Sequence, residues 1–403
     1  MTLLRIDNRC MPYDWGSPGR ISALLGRPGV AGREAELWLG AHPKAPSRIL
    51  DDPRWPDAHQ WERSTGAHLP FLLKILAADR PLSLQAHPTA DQAEVGFARE
   101  EAAGIPIDAA HRNYRDPRPK PEMIVALEDG FQALCGFQET AQILGIVDAV
   151  IARVPREHEA AEQETPGHVQ ALSRWRAHLQ QVDDGRTHLG AVVAWLLTAE
   201  EAAGVVPALL AAEAAPRSVD AEELAPWDLI RRLQAAHPGD PGIAVAVMLH
   251  HLTLRAGESL WLPAGVLHAY VQGLGVELMG PSDNVLRGGL TTKHLDVAEL
   301  LRIADLTPGR PRPTAPMPLE EHLLAHRPEG QEQAPFELME ITGDTEVATP
   351  GPSVLIVLDG TFTVSSPTSG PRTAGRGAQL LHTDPGRLRL RGAGRAFLAK
   401  LRG

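Results

Sequence analysis

The chain has 403 residues, 43% of them hydrophobic and 22% charged, with a formal net charge of −11. That length exceeds one ordinary hydrophobic core, so two or three domains are expected, in a composition typical of soluble globular proteins. The acidic balance argues against a nucleic-acid binder. Its two cysteines, Cys10 and Cys135, form no CxxC pair, which argues against a disulfide framework or a thiolate zinc site.

The opening residues, MTLLRIDNRC, carry charges at Arg5 and Asp7 and no apolar signal-peptide region. No apolar run reaches the length of a membrane span, because Glu200 and Glu201 interrupt the longest one. A cytoplasmic monomer without membrane or nucleic-acid partners is the default expectation.

Residues 1–138 read mainly as strands and loops. Within them, PLSLQAHP (81–88) alternates. Leu82, Leu84 and Ala86 share one face, and Ser83, Gln85 and His87 the other, because residues two apart in a strand point the same way. An amide and an imidazole on one face can converge on one ion, although a Gln-x-His pair is also ordinary surface. Next, KPEMIVALEDGFQALCGF (120–137) places two strand-like runs about Asp129-Gly130, a two-residue hairpin signal. The face of its first strand would carry Glu122, Ile124 and Ala126, so Glu122 needs either solvent or a partner.

The texture turns helical near residue 140. Ile143, Leu144, Ile146, Val147, Val150 and Ile151 recur at helical spacing, as do Val169, Leu172, Trp175, Leu179 and Val182. Thr198 to Glu201 reads as a capping box opening a further helix. A fourth helix is expected over about 221–236, ending at HPGDPG. Strand signals return at GIAVAVMLHHLTLRAGESLWLPAGVLHAYVQG (242–273). There, Gly-Glu at a turn, an apolar strand and then Pro-x-Gly-x-x-His resemble the metal-binding hairpin of cupin barrels, whose final histidine would be His268.

VELMGPSDNVLRGGLTTKHLDVAEL (276–300) gathers Glu277, Ser282, Asp283, Asn284, Arg287, Thr291 and Lys293. Its Gly288-Gly289 pair allows close backbone approach. Arg287 and Lys293 suit an anionic group such as phosphate, the guanidinium bidentately and the ammonium as a point charge. A Pro-rich stretch (306–322) reads as a linker, and VLIVLDGTFTVSS (354–366), folded over Asp359-Gly360, as part of a smaller β domain. The expected architecture is mainly β with an α-helical insertion. Residues 1–138 and 238–305 form one β domain, 139–237 the insertion, and 306–403 the linker with a C-terminal β domain. Gln85, His87, Glu122 and His268 together offer two oxygens and two imidazole nitrogens, a set suited to zinc and less well to manganese or iron.

Six stretches in this order resemble the type I phosphomannose isomerase family: YDWGS, AELWLGAHPKAPS, PLSLQAHP, RNYRDPRPKPEMIVALEDGFQALCGF, PAGVLHAYVQG and ELMGPSDNVLRGGLTTKHLDV. The resemblance implies a cupin-type jelly-roll β core, an inserted helical domain and a second β domain. It also implies one zinc ion per chain, held by Gln85, His87, Glu122 and His268. By the same resemblance the catalytic arginine falls on Arg287, the active-site lysines on Lys120 and Lys293, and the serine of the first metal segment on Ser83. Glu277, Asp283 and Asn284 match as well. The implied reaction interconverts mannose 6-phosphate and fructose 6-phosphate through a cis-enediol, with Lys120, Glu277 or metal-bound water open as the base. One departure stands out: Arg118-Pro119 replace the family's usual Asn-His, so two prolines bracket Lys120. Two other readings stay open beside this one, an iron dioxygenase of cupin type and a non-catalytic sugar-phosphate binder.

Overall fold

The computed structural model describes residues 2–402 except 30, 155–166, 182–184, 216–225 and 328–334; at 185–187 only the backbone is described. Two ten-stranded antiparallel sheets organise the described residues.

One long strand, His268–Met279, folds the first sheet into two facing layers. Its C-terminal part pairs with Leu72–Ala78 and Glu122–Ala126. Its first residues pair instead with Gln85 and with Phe131–Phe137. The switch falls at Gly273, whose φ of +133° and close approach to the Phe131 ring leave no room for a Cβ. Alternate residues face the space between the layers, where Leu76, Ile124, Ala126, Phe131, Ala133, Cys135, Leu260 and Tyr270 join one buried cluster. The other faces pack outward. Leu73, Ile75, Val125, Val276 and Leu278 meet Phe336, Leu338, Ile356 and Phe397 of the second sheet. Leu84, Ala86, Leu134, Phe137, Ala269 and Val271 meet the helices. The layered core therefore buries both faces of its strands, which is why they read as near-continuous apolar runs.

A helical block follows the Phe131–Phe137 strand. Thr140–Arg153 buries Ile143, Ile146, Val147 and Val150, and His168–Gln180 buries Leu172, Trp175 and Leu179. Val182 and residues 221–225 of the expected fourth helix lie outside the described residues; the described helix is Trp227–Ala236. No single described helix is long and apolar enough to cross a membrane.

Several local expectations give way. Thr198 ends a helix, its hydroxyl donating to the Ala194 carbonyl at 2.8 Å; a short 3₁₀ turn, Glu200–Ala202, follows, and the next α-helix starts at Val205. Gly242–Val247 is a short buried helix, since a brief all-apolar run has no periodicity to tell helix from strand. The strands flanking Asp129-Gly130 do not pair with each other. Glu122–Ala126 lies in one layer and Phe131–Phe137 in the other, so the turn is a corner between layers. The strands flanking Ala256-Gly257 part company the same way. Asp359-Gly360 lies just after a bulge at Leu358 within one 14-residue strand, Ser353–Ser366, rather than at a hairpin tip. Part of the Pro-rich stretch, Met317–Glu320, is an exposed edge strand. The N-terminal strand, Leu3–Asp7, hydrogen-bonds to Gln379–His382 and so completes the C-terminal sheet, apart from the β unit in which its position in the chain places it.

Candidate metal centre and substrate cleft

At one end of the two layers, four short stretches meet. The Gln85–Ala86 strand is only two residues long, with Leu84 and Ala86 buried on the helical side; Leu82 leaves the alternation and packs toward the interior cluster. Gln85 sits opposite His268 on one side and Arg287 on the other. Directly opposed residues share a face, so Arg287, Gln85 and His268 form a row across three strands. Glu122 arrives from the facing layer, on the same side of its strand as Ile124 and Ala126.

His87, Glu122 and His268 converge there, each at most 2% exposed. His87 Nε2 lies 3.4 Å from Glu122 Oε1, and His268 Nε2 lies 3.3 Å from Glu122 Oε2. Each imidazole spends its other nitrogen on a main-chain carbonyl: Nδ1 of His87 on Asn284 and Nδ1 of His268 on Val266, both at 2.8 Å. That arrangement places the proton on Nδ1 and aims the Nε2 lone pair at the shared centre. Burial, reinforced by the Lys120 cation, lowers the His87 pKa to about 4, so the ring is neutral at pH 7. Burial alone would raise Glu122, but Lys120 and His87 outweigh it and hold the carboxyl well below the usual range. His87 Nε2, His268 Nε2 and Glu122 Oε2 are buried without any hydrogen-bond partner. Three orphaned, electron-rich atoms converging in one dry place fit a divalent cation of the zinc type, with half-buried Gln85 on the wall beside them.

Above this floor opens a cleft of about 570 Å³, lined among others by Ser83, Gln85, Lys120, Glu122, Glu277, Asp283, Arg287 and Lys293. Lys120 donates to Glu122 at 2.8 Å; the substituted Arg118-Pro119 loop therefore still delivers it to the centre. Asp283 pairs with Lys44 at 2.8 Å and faces His42 at 3.6 Å. Burial lowers the pKa of Arg287, and the neighbouring Arg115 lowers it further; Lys293 is lowered by burial and by Arg287, Arg115 and Lys44. Mutually repelling cations on one wall attract an anion.

Asn284 departs from its expected place. Fully buried, it donates its amide to the carbonyls of Asp116 and Arg118 and accepts from the N–H groups of Arg115 and Asp116. It holds the 115–118 loop and, through its carbonyl, His87, and it does not line the cleft.

Sequence reasoning missed a second buried network. Lys74 lies 3.3 Å from Glu36 and 3.1 Å from Glu277, Tyr270 donates to Glu277 at 2.9 Å, and Trp38 donates to Glu36 at 2.9 Å. Burial raises Glu277, and the adjacent Lys74 only partly offsets it. Lys74 is itself pushed up because the two carboxylates outweigh its burial. The available signal was a lone charge inside an apolar run, in FLLKILAA and in AELWLG.

Facing β layers with a buried His–Glu–His centre beneath a cationic cleft define a metalloenzyme-type site for an anionic substrate. Residues 3–140 match the family model for the phosphomannose isomerase type I catalytic domain. The chain is 36% identical over 313 residues to the mannose-6-phosphate isomerase of Escherichia coli (strain K12), covering 74% of this chain and 73% of that one. Against the Homo sapiens mannose-6-phosphate isomerase it is 31% identical over 362 residues, covering 83% and 80%. Among solved structures it is similar to the Salmonella typhimurium mannose 6-phosphate isomerase bound to substrate and a zinc atom, with a TM-score of 0.82, 28% identity and full coverage of both chains. The chain belongs to the type I mannose-6-phosphate isomerase (phosphomannose isomerase) family, and it is an isomerase.

Proposed function

We propose that this isomerase interconverts mannose 6-phosphate and fructose 6-phosphate with one zinc ion held by His87, Glu122, His268 and Gln85. The observation that carries this reading is the trio of unpartnered buried atoms at the floor of the cationic cleft. We further take residues 1–138 with 238–305 as a cupin-type jelly roll, 139–237 as its helical insertion and 306–403 as linker and second β domain, with Leu3–Asp7 lent to the latter's sheet.

Aldose–ketose interconversion removes a proton from C2 of the open sugar and delivers it to C1 through a cis-enediol. Zinc, when bound, supplies Lewis-acid stabilisation of the charge that grows on the C1 and C2 oxygens. Arg287 adds fixed positive charge from the wall of the same cleft. Lys293 and Arg115 hold the phosphate, so binding energy at the distant end positions the reacting carbons, while Ser83 and Asp283 offer polar contacts to the sugar hydroxyls. Glu277 is the proposed base: it lines the cleft, burial raises its pKa, and Tyr270 and Lys74 fix its orientation. Lys120, paired with Glu122, serves as a cation beside the developing enediolate.

The test is a coupled assay for fructose 6-phosphate formed from mannose 6-phosphate, with and without chelator. Turnover abolished by chelation and restored by zinc is expected. Absent turnover in zinc-loaded protein, or turnover indifferent to chelation, would overturn the reading.

A further inference from the structure

Asp240 lies just past the last long helix of the helical block, and its carboxylate bonds to two segments at once. Oδ1 accepts from the N–H of Gly242 at 2.7 Å and from the N–H of Leu290 at 2.9 Å; Oδ2 accepts from the N–H of Thr291 at 2.9 Å. Leu290 is the one non-glycine residue with positive φ (+56°) among the described residues. A bulky residue in that left-handed region is a genuine outlier, kept there only when its surroundings over-determine it. The surroundings here are specific. Gly289, at φ +115°, packs against Gly242, and a Cβ on either glycine would collide with the other segment's backbone. Immediately after this clamp come Thr291, Thr292 and Lys293, which line the cleft. Immediately before it, Arg287 is fixed by its ladder to Gln85.

We propose that Asp240 is a positioning residue for the anion-binding loop: by holding Leu290 left-handed it sets Thr291–Lys293 beside Arg287. The junction between the helical block and the β domain then has a role at the cleft. It also reaches the segment ahead of Ser83 and Gln85, where His237 Nε2 lies 3.0 Å from the Pro81 carbonyl. Asp240 bonds to none of the metal trio and does not line the cleft. Its removal should therefore be felt chiefly at the phosphate end. An Asn at this position keeps the shape but turns one acceptor into a donor facing an N–H group.

The inference rests on the cationic wall being the phosphate site, so binding of inorganic phosphate to zinc-loaded protein, read by calorimetry, is the primary measurement and needs no turnover. Asp240→Asn and the milder Asp240→Ser should weaken phosphate about tenfold, raise KM for mannose 6-phosphate similarly and leave zinc affinity and kcat within about twofold. On a Lys293→Ala background, Asp240→Asn should add little, because the two changes act through one loop. Unchanged phosphate affinity in both Asp240 variants, an equal fall in zinc affinity, or full additivity with Lys293→Ala would overturn the proposal. Absent turnover in the wild type, with phosphate still bound and still sensitive to Asp240, would instead count against the isomerase reading and leave the loop assignment standing.

Discussion

Stripping the metal is the sharpest perturbation of the centre. Each unsatisfied buried polar atom costs about 1–3 kcal/mol. With three such atoms, His87 Nε2, Glu122 Oε2 and His268 Nε2, the empty centre carries a penalty on the order of 3–9 kcal/mol. Zinc relieves it by mass action: free ion at about a thousand times Kd stabilises the fold by about 4 kcal/mol. At roughly 2–4 °C per kcal/mol for a cooperative unit of about 200 residues, the size of the proposed β domain, that domain's melting temperature should fall by about 8–16 °C on stripping. Scanning calorimetry of zinc-loaded, chelator-dialysed and reloaded protein measures it. His268→Ala should melt near the stripped value and gain nothing from zinc. A stripped protein melting within about 2 °C of the loaded one, or a His268→Ala variant that still responds fully, would refute the assignment of these atoms as the ion's ligands.

Arg287→Ala should retain stoichiometric zinc by elemental analysis while losing about 10²-fold or more in kcat. Lys74→Met strands two buried carboxylates, Glu36 and Glu277; a loss of about 3–5 kcal/mol in urea unfolding is expected, partly recovered by adding Glu36→Gln. His42 is buried, and burial lowers its pKa from 6.5 to about 4. Between those values the unfolded chain binds the extra proton, so stability should fall as pH drops from about 6.5 to about 4, by up to about 3 kcal/mol. His42→Asn should remove His42's share of that slope in urea titrations at pH 7, 5.5 and 4, leaving the part due to His87.

Part of the His87–Glu122–His268 convergence was legible: strand alternation put Gln85 with His87, and Glu122 with Ile124 and Ala126, on single faces, while His268 came from the resemblance to a cupin hairpin. The partners of those strands were not. Asp129-Gly130 and Asp359-Gly360 have the chemistry of hairpin tips, yet one turns a corner between layers and the other lies within a single strand just after a bulge. Turn residues specify backbone angles, and the choice of neighbouring strand is settled by packing of both faces. Leu3–Asp7 shows the same limit, since its partner lies more than 370 residues away. Lys74 and Glu36 were hidden for a different reason: each neutralises the other across strands, and nothing local reveals a pairing that only register creates. Asn284 belongs to a polar-rich segment whose composition suggested ligand contact, and its four amide bonds to a neighbouring loop depend on a fold that composition cannot convey.

The strand His268–Met279 carries His268 in one layer and Glu277 in the other, on either side of the Gly273 bend. Deleting or inserting one residue between them would send one of the two to the opposite face while leaving the apolar count almost unchanged. A chain paired out of step could thus bury a comparable core and still offer the ion only part of its ligand set. If the proposed ion binds there, its capture would proofread strand register, rewarding the single pairing that brings His268, Glu122 and His87 to one point. Surface loops of this protein can vary in length without such a penalty, whereas the spacing between His268 and Glu277 is fixed by arithmetic.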